Sequence, residues 1–352
     1  MQKKTKIRAV DFFCSGGGMT NGLIQAGIDV IAGIDNDSSC KETYEKNNPN
    51  SQFITADVFA LKEIDLAKRL GLKKNDDEIV FIGCSPCQYW SIIQHDKTKS
   101  QKSKNLLIEF KRFVDYFNPG YVLVENVPGI LRKKDQSGLN NFVSNLKDRG
   151  YKVHFEIVNM SDYGIPQARK RFSLVASRVI DKEIFPEYSI NKKRTVADVL
   201  GEKNGFQKVK AGFRDDTEFN HSVAGLTSKN LLRLKKTAKN GGSWLDWAHD
   251  KNLKRKKYKG NGFIDNYGRM SWDKPAPTIT TKFLSISNGR FAHPEENRAI
   301  SIREGATLQT FPKDYVFYAK NMSDIARMIG NAVPPEFARQ LGKIIIENYE
   351  SK

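Results

Sequence analysis

Ile7-Arg8-Ala9-Val10-Asp11-Phe12-Phe13-Cys14-Ser15-Gly16-Gly17-Gly18 is an apolar run that breaks into three consecutive glycines. A short apolar segment bounded by a glycine turn reads as a buried strand. The stretch that follows, through Leu23 to Ala26, reads as a helix. Val30 to Ile34 is a second strand and Ser39 to Asn47 a second helix, with further apolar runs at Ile79 to Ile82 and Tyr121 to Val124. Leu106, Leu107, Phe110, Phe113, Val114 and Phe117 recur at helical spacing. Strands alternating with helices predict an α/β fold, a doubly wound parallel sheet with helices on both faces. Ligands of such sheets sit at the carboxyl ends of the strands, where the glycines and the blocks quoted below fall.

The chain has 352 residues, room for one large domain and a smaller one. Its 39% hydrophobic and 28% charged content exclude a disordered chain. A net charge of +18 predicts a polyanionic partner. Four cysteines, at 14, 40, 84 and 87, are too few for a disulfide framework, and no second Cys-x-x-Cys or paired His completes a zinc site. The N-terminus carries no apolar signal segment and no run is long enough to span a bilayer, so the expectation is a soluble, reduced, cytoplasmic protein without a metal.

Beyond about Phe185 the pattern changes. Residues 192–259 hold 18 Lys/Arg against 7 Asp/Glu, a net +11, with the cluster Lys254-Arg255-Lys256-Lys257-Tyr258-Lys259. Phe206, Phe213, Trp244, Trp247 and Phe263 are interspersed, which favours a folded basic domain lying on a nucleic acid backbone over a solvated linker.

Two blocks carry chemistry on their own terms. Glycines at a strand-to-helix turn let the backbone approach a ligand, and Asp35 at the end of the second strand suits ribose hydroxyls; the bland alternative is a tight turn beside a solvated acid. Gly83-Cys84-Ser85-Pro86-Cys87-Gln88 puts a thiol at the mouth of a strand, suited to a nucleophile, but Cys84 and Cys87 also spell a dithiol motif. Glu125-Asn126-Val127, Gln167-Ala168-Arg169-Lys170-Arg171 and Gly330-Asn331-Ala332-Val333-Pro334-Pro335 complete the set.

In that order the blocks resemble the DNA (cytosine-5)-methyltransferase family, bacterial restriction–modification type, along nearly the whole chain. The resemblance implies a Rossmann-like S-adenosylmethionine-dependent domain over 1–185, completed by 322–352, and a smaller basic target-recognition domain over 186–321. It implies that Phe13, Ser15, Gly16 and Gly18 cradle S-adenosylmethionine, with Ser15 standing where members usually carry Gly. Asp35 matches the ribose acid, Asn36 the neighbour that packs on adenine, and Asp57 the acid at the adenine amino group. Pro86 in the nucleophile block and Asn331, Ala332 and Val333 in the C-terminal motif complete the cofactor pocket. Cys87 matches the nucleophile that adds to carbon 6 of cytosine, which makes carbon 5 able to accept a methyl group. Glu125 matches the carboxyl group at N3, Asn126 the residue that orients its loop, and Arg169 and Arg171 the arginines that fix the loop and contact O2. Cys84, where members have a small residue, reads as structural.

Residues 89–104 match the loop that closes over a base taken out of the duplex, though Tyr89-Trp90 and Lys104-Asn105 depart from the family's usual residues. Trp272 to Thr281 and Arg303 to Pro312 resemble the end of the recognition domain and the motif that stabilises it. The implied partners are duplex DNA, on which a monomer acts in the nucleoid, and a restriction endonuclease as a separate chain. Two other readings stand beside this one: a related enzyme acting on transfer RNA, and a dithiol oxidoreductase built on Cys84 and Cys87.

Overall fold

A computed structural model describes residues 7–85, 105–132, 134–188, 193–253 and 265–351. Pro86, Cys87, the 89–104 stretch and the basic cluster 254–259 lie outside the described residues. In chain order the elements begin with β1 (Arg8–Phe12), α1 (Gly18–Ala26), β2 (Asp29–Asp35), α2 (Lys41–Asn47), β3 (Gln52–Thr55), α3 (Glu63–Leu70) and β4 (Ile79–Gly83). There follow α4 (Leu106–Phe117), β5 (Tyr121–Asn126), α5 (Gly129–Arg132), α6 (Lys134–Ser137), α7 (Leu139–Asp148), β6 (Lys152–Asn159), β7 (Gln167–Ala168) and β8 (Lys170–Ser177). The remainder is α8 (Ser228–Lys236), β9 (Ala276–Pro277), α9 (Ile302–Leu308), α10 (Met322–Asn331) and α11 (Pro335–Glu350).

The chain divides into two compact units. Unit 1 runs to Asn159 and resumes over Lys170–Tyr188 and from Ala332 onward; unit 2 takes Met160–Arg169 and Ser189–Asn331. Unit 1 holds a seven-stranded sheet in the order β3-β2-β1-β4-β5-β8-β6. The strands from β3 to β5 are parallel as expected, while β8 runs antiparallel to both β5 and β6. Only Met160–Arg169 separates β6 from β8, too short for the crossover that a parallel pair requires.

Both faces of this sheet are covered, because alternate strand residues point to opposite sides. Phe12 packs on Phe110 and Phe113 of α4, with ring centroids 5.4 and 5.0 Å away. Its neighbour Asp11 faces the other way and meets Thr20 of α1. Burial on two sides explains why β4 and β5 read as continuous apolar runs, every residue of both being buried. The α4 stripe does the work its spacing predicts, since Leu107, Phe110, Phe113, Val114 and Phe117 are all buried. Helices α1 and α11 pack so closely that a Cβ on Gly22 would lie 2.2 Å from the Pro335 carbonyl oxygen.

Unit 2 has little regular structure, and arginines organise much of its interior. Arg269, 1% exposed, donates to the carbonyls of Leu234 (2.8 Å) and His293 (2.9 Å). Arg298 makes a two-pronged pair with Glu304, at 2.7 and 2.8 Å. The Arg298 guanidinium outweighs the cost of burial and holds the Glu304 carboxyl down at about 2. The same carboxylate accepts from Ser301 N while Ser301 Oγ caps α9 through Glu304 N, a capping box.

Candidate active site

The glycine stretch forms a tight loop at the carboxyl end of β1. Phe13, Ser15 and Gly17 have φ of 64°, 47° and 84°, so left-handed residues alternate along it. Phe13 N and Cys14 N both donate to the Ile34 carbonyl, at 2.7 and 3.2 Å, and tie the loop to the end of β2. Ser15 N donates to Asp35 Oδ2 at 2.8 Å, and Asp37 N to Asp35 Oδ1 at 2.9 Å. Asp35 is thereby aimed by backbone donors on both oxygens. Burial raises its carboxyl above the ordinary value against those bonds. Gly16 and Gly18 are buried and Phe13 half-buried.

Asn36, after β2, is exposed. Asp57 follows β3, also exposed, and its Oδ1 accepts from Phe59 N at 3.1 Å. Ala332 and Val333 are buried just ahead of α11, whereas Asn331 is the exposed last residue of α10 and belongs to unit 2. The donor set of unit 1 fits S-adenosylmethionine: a fixed acid for the ribose diol, an exposed acid and amide on adjacent strand ends for adenine, and a half-buried aromatic residue in the loop.

The second cluster lies at the carboxyl ends of β4 and β5. A Cβ on Gly83 would meet the Phe110 ring at 2.6 Å, so glycine is needed where β4 ends against α4. Ser85 is buried, and its Oγ accepts from Asn126 Nδ2 at 3.1 Å. Asn126 Oδ1 in turn accepts from Val127 N at 2.9 Å. One side chain therefore links the exit of β5 to the residues leading into Pro86 and Cys87. Glu125 is 5% exposed and pairs with Arg171, Nε to Oε1, at 3.1 Å. The antiparallel register places Glu125 opposite Ser173, which makes Arg171 its diagonal neighbour on the same face.

The two arginines of the 167–171 block do different things. Arg169, 1% exposed, is in unit 2 and donates to the carbonyls of Ile279 (3.0 Å) and Gly330 (3.2 Å). Arg171 is in unit 1 with the carboxylate. Sequence reasoning did not find the polar chain beneath the cofactor loop: Thr20 Oγ1 donates to Asp11 Oδ2 at 2.7 Å, Tyr44 OH lies 3.1 Å from Thr20 Oγ1, and Ser51 Oγ lies 2.7 Å from Tyr44 OH. Ser85 was also missed as a partner of Asn126. The one available signal was a polar residue in an otherwise apolar stretch.

Among the described residues no helix is long and apolar enough to cross a membrane, and no cluster of His, Cys, Asp or Glu could hold a metal ion. A family model described as C-5 cytosine-specific DNA methylase matches residues 7–347. Type II methylase M.HgiDII of Herpetosiphon aurantiacus is 39% identical over 342 residues, covering 96% of this chain and 94% of that one. Type II methyltransferase M.DdeI of Desulfomicrobium norvegicum is 30% identical over 385 residues, covering 98% and 90%. A solved prophage-encoded protein of E. coli shares the fold, with a TM-score of 0.76 at 23% identity, covering 98% of this chain and 99% of that one. The family is one of DNA enzymes, which disfavours the transfer RNA reading, and the dithiol reading accounts for none of these matches. With the match running from β1 to α11, the chain belongs to the C-5 cytosine-specific DNA methylases, whose methyl donor is S-adenosylmethionine.

Proposed function

We propose that this DNA (cytosine-5)-methyltransferase works through a covalent Cys87 adduct on a cytosine flipped from the duplex, assisted by Glu125 and Arg171. The observation that carries the reading is the buried Glu125–Arg171 pair at the end of β5, one strand from the residues leading to Cys87. Carbon 5 of cytosine is a poor nucleophile. Addition of the Cys87 thiolate to carbon 6, with a hydrogen bond or proton from Glu125 at N3, converts the ring to an enamine nucleophilic at carbon 5. S-adenosylmethionine supplies the electrophilic methyl group. Loss of the carbon 5 proton then expels the thiolate and restores the aromatic ring. Arg171 holds the Glu125 carboxyl in place through its Nε, and Asn126 holds the β4 exit through Ser85.

Phe13, Ser15, Gly16, Gly18, Asp35, Asn36, Asp57, Ala332 and Val333 form the cofactor side. Unit 2, with its basic excess, reads the DNA sequence, and Arg169 braces its backbone at Ile279 and Gly330. The Type II names of the relatives support a restriction–modification setting; a cognate endonuclease as a separate chain, and action on nucleoid DNA as a monomer, are part of the same proposal.

The test is to incubate the protein with S-adenosylmethionine and unmethylated genomic DNA and to map 5-methylcytosine by bisulfite sequencing. One recurring methylated motif is expected, together with loss of methylation but not of DNA binding in Cys87→Ser. Wild-type methylation by that variant overturns the covalent mechanism.

A further inference from the structure

Arg112, on α4, is absent from every motif above, yet its guanidinium is committed to the turn that carries Asp57. That turn begins with Asp57 O accepting from Ala60 N (2.9 Å) and Leu61 N (3.0 Å). Arg112 Nη2 donates to the carbonyls of Val58 (2.8 Å) and Leu61 (3.0 Å), spending both of its protons on the turn. Nη1 pairs with Glu63 at the start of α3 (2.7 Å), and Nε with Glu109 one turn back on α4 (3.1 Å). The guanidinium carbon also lies 4.5 Å from the Phe113 ring centroid. Phe113 is buried against Phe12, the last residue of β1 before the cofactor loop.

We infer that Arg112 is a positioning residue for the cofactor: it clamps the 57–61 turn so that the Asp57 carboxylate is presented to the adenine amino group. The inference rests on the reading of Asp57 as an adenine contact. Asp57 is exposed, and its own anchor, the bond from Phe59 N, lies within the same turn. The buried Val58 side chain seats the turn on the core, and Arg112 adds a polar clamp on the turn's carbonyls, reaching them from a helix with five buried residues on its stripe. A planar fork with donors in fixed geometry does this; an ammonium group carries three rotatable donors on a flexible stem and fixes the geometry less well.

The experiment measures binding of S-adenosylmethionine and S-adenosylhomocysteine by calorimetry, DNA affinity, and the melting temperature for Arg112→Gln, Arg112→Lys and Asp57→Asn. The expected result is a cofactor Kd raised about tenfold in Arg112→Gln and less in Arg112→Lys, as for a lost charge-assisted contact. Asp57→Asn raises it too, DNA affinity stays within about twofold in all three, and KM for the cofactor rises without loss of kcat at saturation. If Asp57→Asn weakens cofactor binding and neither Arg112 variant does, the inference about Arg112 fails while the Asp57 reading stands. If Asp57→Asn leaves binding unchanged, the Asp57 reading fails and takes the inference with it. If Arg112→Gln does not fold and Arg112→Lys lowers cofactor and DNA affinity alike, Arg112 is a general brace between α3 and α4 and the inference is overturned.

Discussion

Asp11→Asn tests the physical account of the cofactor loop most directly. Asp11 is completely buried beneath that loop; Thr20 bonds its Oδ2, and its Oδ1 has no hydrogen-bond partner among the described residues. Burial, with a smaller push from Asp35, raises its carboxyl from 3.8 to about 7. The folded protein therefore binds a proton at this site between about pH 4 and pH 7 that the unfolded chain has released, so stability falls as pH rises through that window. The shift of about 3 units corresponds to about 4 kcal/mol in all, with a slope of at most 1.36 kcal/mol per unit. From about pH 5.5 to about pH 8 the part lost is about 2 kcal/mol. Asparagine keeps an acceptor for Thr20 but cannot titrate. In urea unfolding at constant ionic strength, the wild type should lose about 2 kcal/mol relative to Asp11→Asn across that range. Parallel pH profiles, within about 0.5 kcal/mol, would refute the claim that Asp11 is held protonated by burial.

Three further outcomes follow from the geometry. Gly22→Ala forces a methyl group to 2.2 Å from the Pro335 carbonyl oxygen; an overpacked backbone contact of this kind should cost about 3 kcal/mol, read as a lower urea midpoint. Ser15→Gly relieves a left-handed φ of 47° and keeps the backbone bond to Asp35, so stability should rise by about 0.5–1 kcal/mol with S-adenosylmethionine affinity retained within about twofold; a loss of stability contradicts the strain argument. Glu125→Gln keeps the shape of the side chain but removes the charge paired with Arg171 and weakens donation at N3. Methyl transfer to DNA should fall at least about 100-fold while cofactor binding persists, and turnover within tenfold of wild type would exclude Glu125 from the chemistry.

Much of unit 1 was legible in the chain because its strands are buried on both faces. Such strands appear as unbroken apolar runs, as in β4 and β5, and α4 announces itself by its stripe. The antiparallel β6–β8 pair was not legible: β6 mixes exposed and buried positions, and the buried run of β8 is interrupted by the polar Ser173 and Ser177. Unit 2 escaped periodicity for another reason. Arg269 and Arg303 are buried on carbonyls from distant segments and Arg298 on the nearby Glu296 and Glu304 carboxylates, and such bonds leave no repeat in the sequence.

By itself, the order of residues determined which chemistry the chain can host: glycines and Asp35 at the ends of the first two strands, Cys87 after β4, Glu125 at the end of β5. Those follow from local rules, in which an apolar run ends and a polar residue emerges at the sheet's edge. Tertiary structure alone decided which of these groups meet. Ser15 finds Asp35 only because β1 lies beside β2, and Arg171 finds Glu125, 46 positions earlier in the chain, only through the β5–β8 register. A one-residue slip in that register would send Arg171 to the opposite face of the sheet, because strand side chains alternate. Local sequence carries no term for that choice; the packed sheet does.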